Sequence, residues 1–145
     1  MLAATFGAVI VLGAIVAPIV FHTDRILEIA LIDNYNAGII MGTIFHRFSY
    51  WLYFTAFFII VYEAVMYKSG KRDNIIFAAV VTTVFSSLMF SAVYSPKILA
   101  MQSLGREATQ SDTFNNIHIA SELDFKMLAI GLIVLFIRRL MLLRV

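Results

Sequence analysis

Hydrophobic and polar residues occur in long blocks along this chain, and the apolar blocks predict membrane helices. Residues 1–21 contain no charged side chain and have about the length needed to cross a bilayer. The pattern predicts helices over about residues 2–21, 34–67, 74–104 and 112–140. We therefore expect residues 1–145 to form a single transmembrane domain. Its fold would be all-α, a polytopic four-helix bundle with an antiparallel, up-down arrangement.

The polar connections predict how these helices are arranged. Residues 22–33 mix acidic with apolar side chains, which favours a short interfacial helix between helices one and two. Residues 68–73 contain Gly70 and carry a net positive charge, which is typical of a short turn on the cytoplasmic side. The arginines near the end of helix four favour the same side. We expect a bacterial inner-membrane protein with both termini in the cytoplasm.

Two prolines fall inside or near the ends of predicted helices. Pro18 is expected to bend or terminate helix one, because it lacks a backbone donor. Pro96 is expected to kink helix three and to free a backbone carbonyl near Ala92 or Val93.

Composition supports membrane insertion and restricts the possible chemistry. The chain is 61% hydrophobic and 14% charged, with a mean hydropathy of +0.90, so its main partner should be the lipid bilayer. It has no cysteine, which excludes thiolate metal sites and thiol catalysis. The net charge of +2 does not favour nucleic acid as a partner.

Polar residues in the first part of helix two indicate a candidate site. At about 100° per residue, a single stripe of this helix collects small residues, an imidazole and phenols. Polar side chains within an apolar helix are costly in lipid, so this stripe should face the protein. Its members are Tyr35, Gly42, His46, Tyr50 and Tyr53.

Helix four carries a second polar face, which contains His118 and Glu122 one turn apart. When positions are paired around each turn of an antiparallel bundle, His46 falls in the same outer half. Imidazole, carboxylate and thioether donors favour a transition metal, copper first. The expected ligands are His46, His118, Glu122, Met41 and Met101.

Two other functions fit the same residues. His46 and His118 could be axial ligands of a haem, with Gly38 and Gly42 making room for the macrocycle and Tyr50 beside it. The chain would then be a membrane oxidoreductase or an electron carrier. Alternatively, it is a non-catalytic scaffold or assembly factor held by small-residue packing, as a homo-oligomer or with other membrane proteins. Whether it is an enzyme stays open.

Three further residues are expected to have structural roles. Arg47 should form an ion pair with Glu122 or Asp124, because a partly buried charge needs a partner. Pro96 should shape helix three.

Several short motifs resemble a known family. Helix one is rich in glycine and alanine and ends in proline and phenylalanine, and an Ala-Gly-x-x-x-Gly-x-x-Phe segment follows. Two more motifs occur in helices three and four. Together they resemble uncharacterised bacterial four-helix membrane proteins related to the human cisplatin-resistance transmembrane protein. The residues concerned are Gly13, Pro18, Phe21, Ala37, Gly38, Gly42, Phe45, Tyr94, Ser95, Pro96, Lys97, Phe114, His118 and Ser121.

This resemblance implies a four-helix polytopic fold without an established activity. His118, Pro96 and the pair Gly38 and Gly42 would be family positions. More distantly, the architecture is similar to copper-resistance and haem-biosynthesis membrane proteins, whose buried histidines are tied to copper or haem.

Overall fold

A computed structural model describes residues 1–27, 32–70 and 72–143, and within these ranges the chain is helical and contains no strand. Of Leu143 only the backbone is described. The helices are α1 (Leu2–Phe21), α2 (Asn34–Lys68), α3 (Asn74–Ser103), the short α4 (Arg106–Thr109) and α5 (Asp112–Leu143). We call the end that holds Asn34 and Ser103 the outer end, and the end that holds Lys68 and Asn74 the inner end.

Three of these helices, α1, α2 and α3, are long and apolar enough to cross a membrane. This finding supports the predicted lipid environment. The fourth long helix, α5, spans 32 residues but carries charged side chains such as Glu122 and Lys126 in its outer half. That α5 crosses the membrane as well stays a prediction.

Aspartates fix where two of the long helices begin. Asp33 accepts a hydrogen bond of 2.8 Å from the backbone N–H of Asn36 at the start of α2. Asp73 accepts bonds from the N–H groups of Ile75 and Ile76 at the start of α3. Both are N-caps, which satisfy donors that the first helical turn leaves free.

The predicted interfacial helix lies only partly within the described residues. Thr23–Arg25 form a single 3-10 turn, while residues 28–31 lie outside the described residues. The prediction of a helix over residues 22–33 is therefore not tested.

Both prolines follow a stretch of π-helix. In α1 the π segment is Val11–Val16, two residues before Pro18, and in α3 it is Phe90–Tyr94, two residues before Pro96. A π-turn is wider than an α-turn, and it accommodates a position where proline cannot donate a hydrogen bond. Neither helix ends at its proline, since α1 continues to Phe21 and α3 to Ser103.

The tightest helix contact joins α3 to α5. Leu128, Leu132 and Leu135 of α5 are fully buried. Beside them, a Cβ added at Gly131 would lie 2.5 Å from Thr83 Oγ1 and 3.2 Å from the Thr83 backbone nitrogen. The two backbones approach this closely only because residue 131 is glycine.

Helix α1 is in contact with its neighbours mainly at its two ends. Thr5 and Val9 are buried near the inner end, where Thr5 Oγ1 lies 3.1 Å from Thr55 Oγ1 and accepts a hydrogen bond from Trp51. The outer end, Ala17–Phe21, packs against α2. Between them, no residue of Val11–Val16 is buried. This middle stretch of α1 is therefore loosely packed against the other helices.

Candidate ligand-binding cavity

A cavity of about 810 Å³ lies between α1, α2, α3 and α5 in the outer half of the protein. Most of its wall consists of small or apolar residues. Small residues of α1 leave space on one side, and larger apolar side chains of the other three helices form the rest. Representative wall residues are Gly13, Ala14, Ala17, Met41, Phe45, Ile98 and Phe125.

Three phenylalanines pack together in the inner part of the cavity. Phe45, Phe90 and Phe125 come from three different helices, and their ring centroids are 5.0 to 5.5 Å apart. They pack on the buried side chains of Leu128 and Leu132. These rings form an aromatic floor in the inner part of the cavity, which Val9 and Ala129 also line.

A row of polar side chains follows one wall. His118, Glu122 and Lys126 are spaced four residues apart on α5, and all three line the cavity. His118 Nε2 lies 3.5 Å from Glu122 Oε1, and Lys126 Nζ lies 3.7 Å from Glu122 Oε2. We call these three residues the polar row. It places an imidazole, a carboxylate and an ammonium group side by side next to an apolar space.

Gln102 of α3 also lines the cavity, and the sequence had not indicated it. Its side chain is 7% exposed, and its Nε2 donates a 2.8 Å hydrogen bond to the carbonyl of Gly38. A Cβ at Gly42 would lie 2.5 Å from Gln102 Oε1, so this glycine leaves room for the amide. Oε1 has no hydrogen-bond partner among the described residues. The backbone carbonyl of Gln102 accepts a 3.0 Å bond from Tyr35.

The structure separates the predicted site residues into two sets. His118, Glu122, Met41, Gly38 and Gly42 line the cavity. The others, His46, Tyr50 and Met101, are not among its lining residues.

His46 instead packs edge-on against Tyr50, with ring centroids 5.6 Å apart. Its Nδ1 is buried and has no partner within the described part of the chain. In that part of the chain, no three His, Asp or Glu side chains are grouped so that they could hold a metal ion. The predicted five-residue metal set is therefore not assembled as one cluster of such ligands.

The ion pair expected for Arg47 is absent from the described residues. Arg47 is exposed, and Glu122 contacts His118 and Lys126 instead. The carboxyl group of Asp124 faces Ser86 of α3. Successive side chains of an α-helix point about 100° apart. Arg47 follows His46 by one residue, so its side chain points in a different direction, out of the protein.

Comparison with known proteins places the chain in a family. The family described as a domain of unknown function, DUF4149, matches residues 1–107. The chain belongs to this family. The matched part of this DUF4149 protein includes Gly38, Gly42 and Pro96, whereas His118 and the rest of the polar row follow it. No curated protein and no solved structure matches the chain. The family is uncharacterised, so membership adds no activity.

Proposed function

We propose that the chain is a bacterial inner-membrane protein in which α1, α2, α3 and α5 cross the bilayer as one antiparallel bundle. Contacts between residues far apart in sequence support this arrangement: Gly38 with Gln102, Thr83 with Gly131, and Glu63 with Arg139. Basic residues at the inner end support cytoplasmic termini, including Lys68, Arg72, Arg138 and Arg139.

Within this bundle, the proposed function is to bind a small amphipathic molecule in the cavity. The observation that carries the proposal is the combination of an apolar space of about 810 Å³ with the polar row along one wall. Cavities of this size and composition are typical of small-molecule sites, where a few polar groups orient an otherwise apolar ligand. Charged side chains at membrane depth also require a polar partner. A bound molecule would place its apolar body over the phenylalanine floor and its polar group at the row.

The test is to fill the cavity from α1. Ala17→Phe adds a ring to the cavity wall, and Ala4→Phe adds the same ring to an exposed position of the same helix, outside the cavity. Each variant is purified in mild detergent, and the molecules that co-purify are extracted and identified by mass spectrometry. We expect the wild type and Ala4→Phe to retain a common ligand that Ala17→Phe lacks. Equal retention by all three proteins would refute a site in this cavity.

A metal ion is the second candidate occupant, and copper is favoured. The supporting observation is that His118 Nε2 and Glu122 Oε1 are 3.5 Å apart while Met41 lines the same cavity. Imidazole and thioether donors suit copper. In elemental analysis, His118→Ala and Met41→Leu should lower bound copper, whereas His46→Ala and Met101→Leu should not. Copper that depends on His46 instead would point to a different site.

The same purified proteins also test the haem and scaffold hypotheses. A haem held by His118 would give a Soret band that disappears in His118→Ala and persists in His46→Ala, because His46 lies outside the cavity. The relation to cisplatin-resistance, copper-resistance and haem-biosynthesis proteins stays a proposal that these measurements address. A protein with neither ligand nor metal nor colour, but with co-purifying membrane proteins, would support the scaffold.

A further inference from the structure

One open side of the cavity lies between α1 and α5. On α1, Gly13 and Ala14 line the cavity and are nevertheless exposed, within a segment that has no buried residue. On α5, the His118 and Glu122 side chains line the cavity and are 45% and 55% exposed. Residues that both line a cavity and remain exposed mark its mouth. At the inner edge of this mouth the two helices touch, because a Cβ at Gly13 would lie 3.5 Å from the ring of Phe125, one of the floor residues.

In the proposed bundle, with α1 crossing the bilayer, the mouth lies at the depth of the hydrocarbon core. Gly13 lies eight residues before Phe21, the outer end of a 20-residue apolar span, so it is about 12 Å below that end at 1.5 Å per residue. An opening at this depth faces lipid chains instead of water.

The cavity also adjoins a second space towards the outer end. A second pocket, of about 540 Å³, lies there and is more polar, with Asp33, Tyr35 and Arg106 in its wall. It shares Asn34, Gly38 and Gln102 with the first cavity. The Gln102 side chain, buried and bonded to Gly38, therefore stands between the two spaces.

We propose that the occupant is a bilayer phospholipid, one of whose acyl chains enters the cavity sideways between α1 and α5. Its headgroup would lie against the polar row, where the Lys126 ammonium group can donate hydrogen bonds to a phosphate and the Glu122 carboxylate can accept them from a headgroup amine. This inference rests on the proposed function and specifies the class of ligand and its route. The floor of phenylalanines limits how far the chain can reach.

The absence of cysteine from the sequence allows a direct test by cross-linking. Gly13→Cys combined with Phe125→Cys is designed to form a disulfide between α1 and α5 at the mouth, and its formation is checked by gel shift before labelling. Thr5→Cys combined with Thr55→Cys joins α1 to α2 where their hydroxyls are already 3.1 Å apart, and serves as the matched control. Each protein is reconstituted in phosphatidylethanolamine and phosphatidylglycerol vesicles with a phospholipid that carries a diazirine in its acyl chain. Photolabelling is then mapped by mass spectrometry.

The informative position is Met41, which is 2% exposed and lies on the cavity wall contributed by α2. We expect labelling there in the wild type and in the control pair. In the oxidised mouth pair it should fall to the level of samples kept in the dark, and reduction should restore it. Undiminished labelling of the oxidised mouth pair, verified by gel shift, would overturn entry between α1 and α5.

A second variant provides the test if the double-cysteine protein fails to fold or to form its disulfide. Ala14→Trp narrows the mouth, and Ala4→Trp places the same side chain elsewhere on α1. Only the first should reduce labelling at Met41, and equal labelling of both overturns the inference.

Failure of this inference is distinguishable from failure of the proposed function. The wild type could retain a co-purifying ligand that Ala17→Phe loses and yet show no labelling at Met41. This result would contradict entry of an acyl chain, and it would still support a binding site in the cavity. If the wild type retains no ligand and is not labelled at Met41, both the proposed function and the lipid inference are contradicted.

Discussion

The side-chain amide of Gln102 lies against the backbone of Gly42, and its oxygen leaves no room for a Cβ there. The distance from an ideal Cβ at Gly42 to Gln102 Oε1 is only 2.5 Å, while one at Gly38 would meet Gln102 Nε2 at 3.5 Å, an ordinary contact. The two glycines of the Gly-x-x-x-Gly pair thus leave space against which the glutamine side chain of α3 packs.

Gly42→Ala should therefore destabilise the protein. The added methyl group would displace a buried amide from its bond to Gly38, at a cost of about 1–3 kcal/mol. The measurement is thermal unfolding in detergent. Gly7→Ala is the control, because no atom lies within 4 Å of a Cβ at Gly7. If Gln102→Ala does not relieve the effect of Gly42→Ala in the double variant, the amide is not the cause.

Gly131→Ala should be at least as damaging, for a different reason. A Cβ there would meet Thr83 Oγ1 at 2.5 Å and the Thr83 backbone nitrogen at 3.2 Å, so rotation of a side chain cannot relieve the whole contact. We expect a loss of about 1–3 kcal/mol, which Thr83→Ala relieves only in part. Unfolding of the two single variants and the double variant decides this. Complete rescue by Thr83→Ala would show that the backbone approach is not limiting.

The inner end depends on an ion pair between α2 and α5. Arg139 Nε donates a 2.9 Å hydrogen bond to Glu63 Oε1, a second bond joins the same groups, and the two side chains are 14% and 13% exposed. Removing one partner leaves a largely buried charge, which costs about 3–5 kcal/mol. Glu63→Ala should show this loss of stability in thermal unfolding. The double variant Glu63→Ala with Arg139→Met should lose less stability. Equal losses in the single and double variants would contradict the pair.

Acid should weaken the junction between α3 and α5. Arg138 donates bonds of 3.0 and 2.8 Å to Asp73 Oδ2, and together with the N–H of Ile76 it holds the pKa of the Asp73 carboxyl below its usual range. Because the folded state has the lower pKa, this stabilisation is present above about pH 4 and is lost as the pH falls through the folded pKa.

The measurement compares thermal unfolding at pH 7 and pH 3. Asp73→Asn should reduce the difference between the two, and Asp24→Asn, at an exposed position, should leave it unchanged. An acid-induced loss of the same size in Asp73→Asn and the wild type would show that other carboxylates are responsible.

Much of the helical structure follows from local sequence. Long apolar blocks predict the spans, and Asp33 and Asp73 cap α2 and α3 near the predicted starts, because a carboxylate there satisfies free backbone donors. The π segments before Pro18 and Pro96 do not follow from a count of apolar residues. They depend on how each helix accommodates a missing donor within its surroundings.

The site was less predictable, because depth and rotation are separate quantities. Pairing positions around the turn between helices two and three matches His46 with Tyr94, and the same rule matches Gly38 with Gln102, which the structure brings into contact. That signal was present in the sequence. The rule gives no rotation, however, so it could not show that Met41 faces the cavity while His46 does not line it. No local pattern around Glu63 predicts its ion pair, because its partner, Arg139, is 76 residues away.

The π segment of α1 has a consequence for the direction in which the outer turns of that helix point. A π-turn holds more residues than an α-turn, so Val11–Val16 changes the angular phase between the inner part of α1 and Ala17–Phe21. Deletion of one residue from this segment would remain compatible with membrane insertion. It would rotate Ala17, Pro18 and Phe21 by about 100° and turn them away from the cavity. The phase of this helix, which hydropathy does not register, thus determines whether α1 contributes a wall to the cavity or a face to the surrounding lipid.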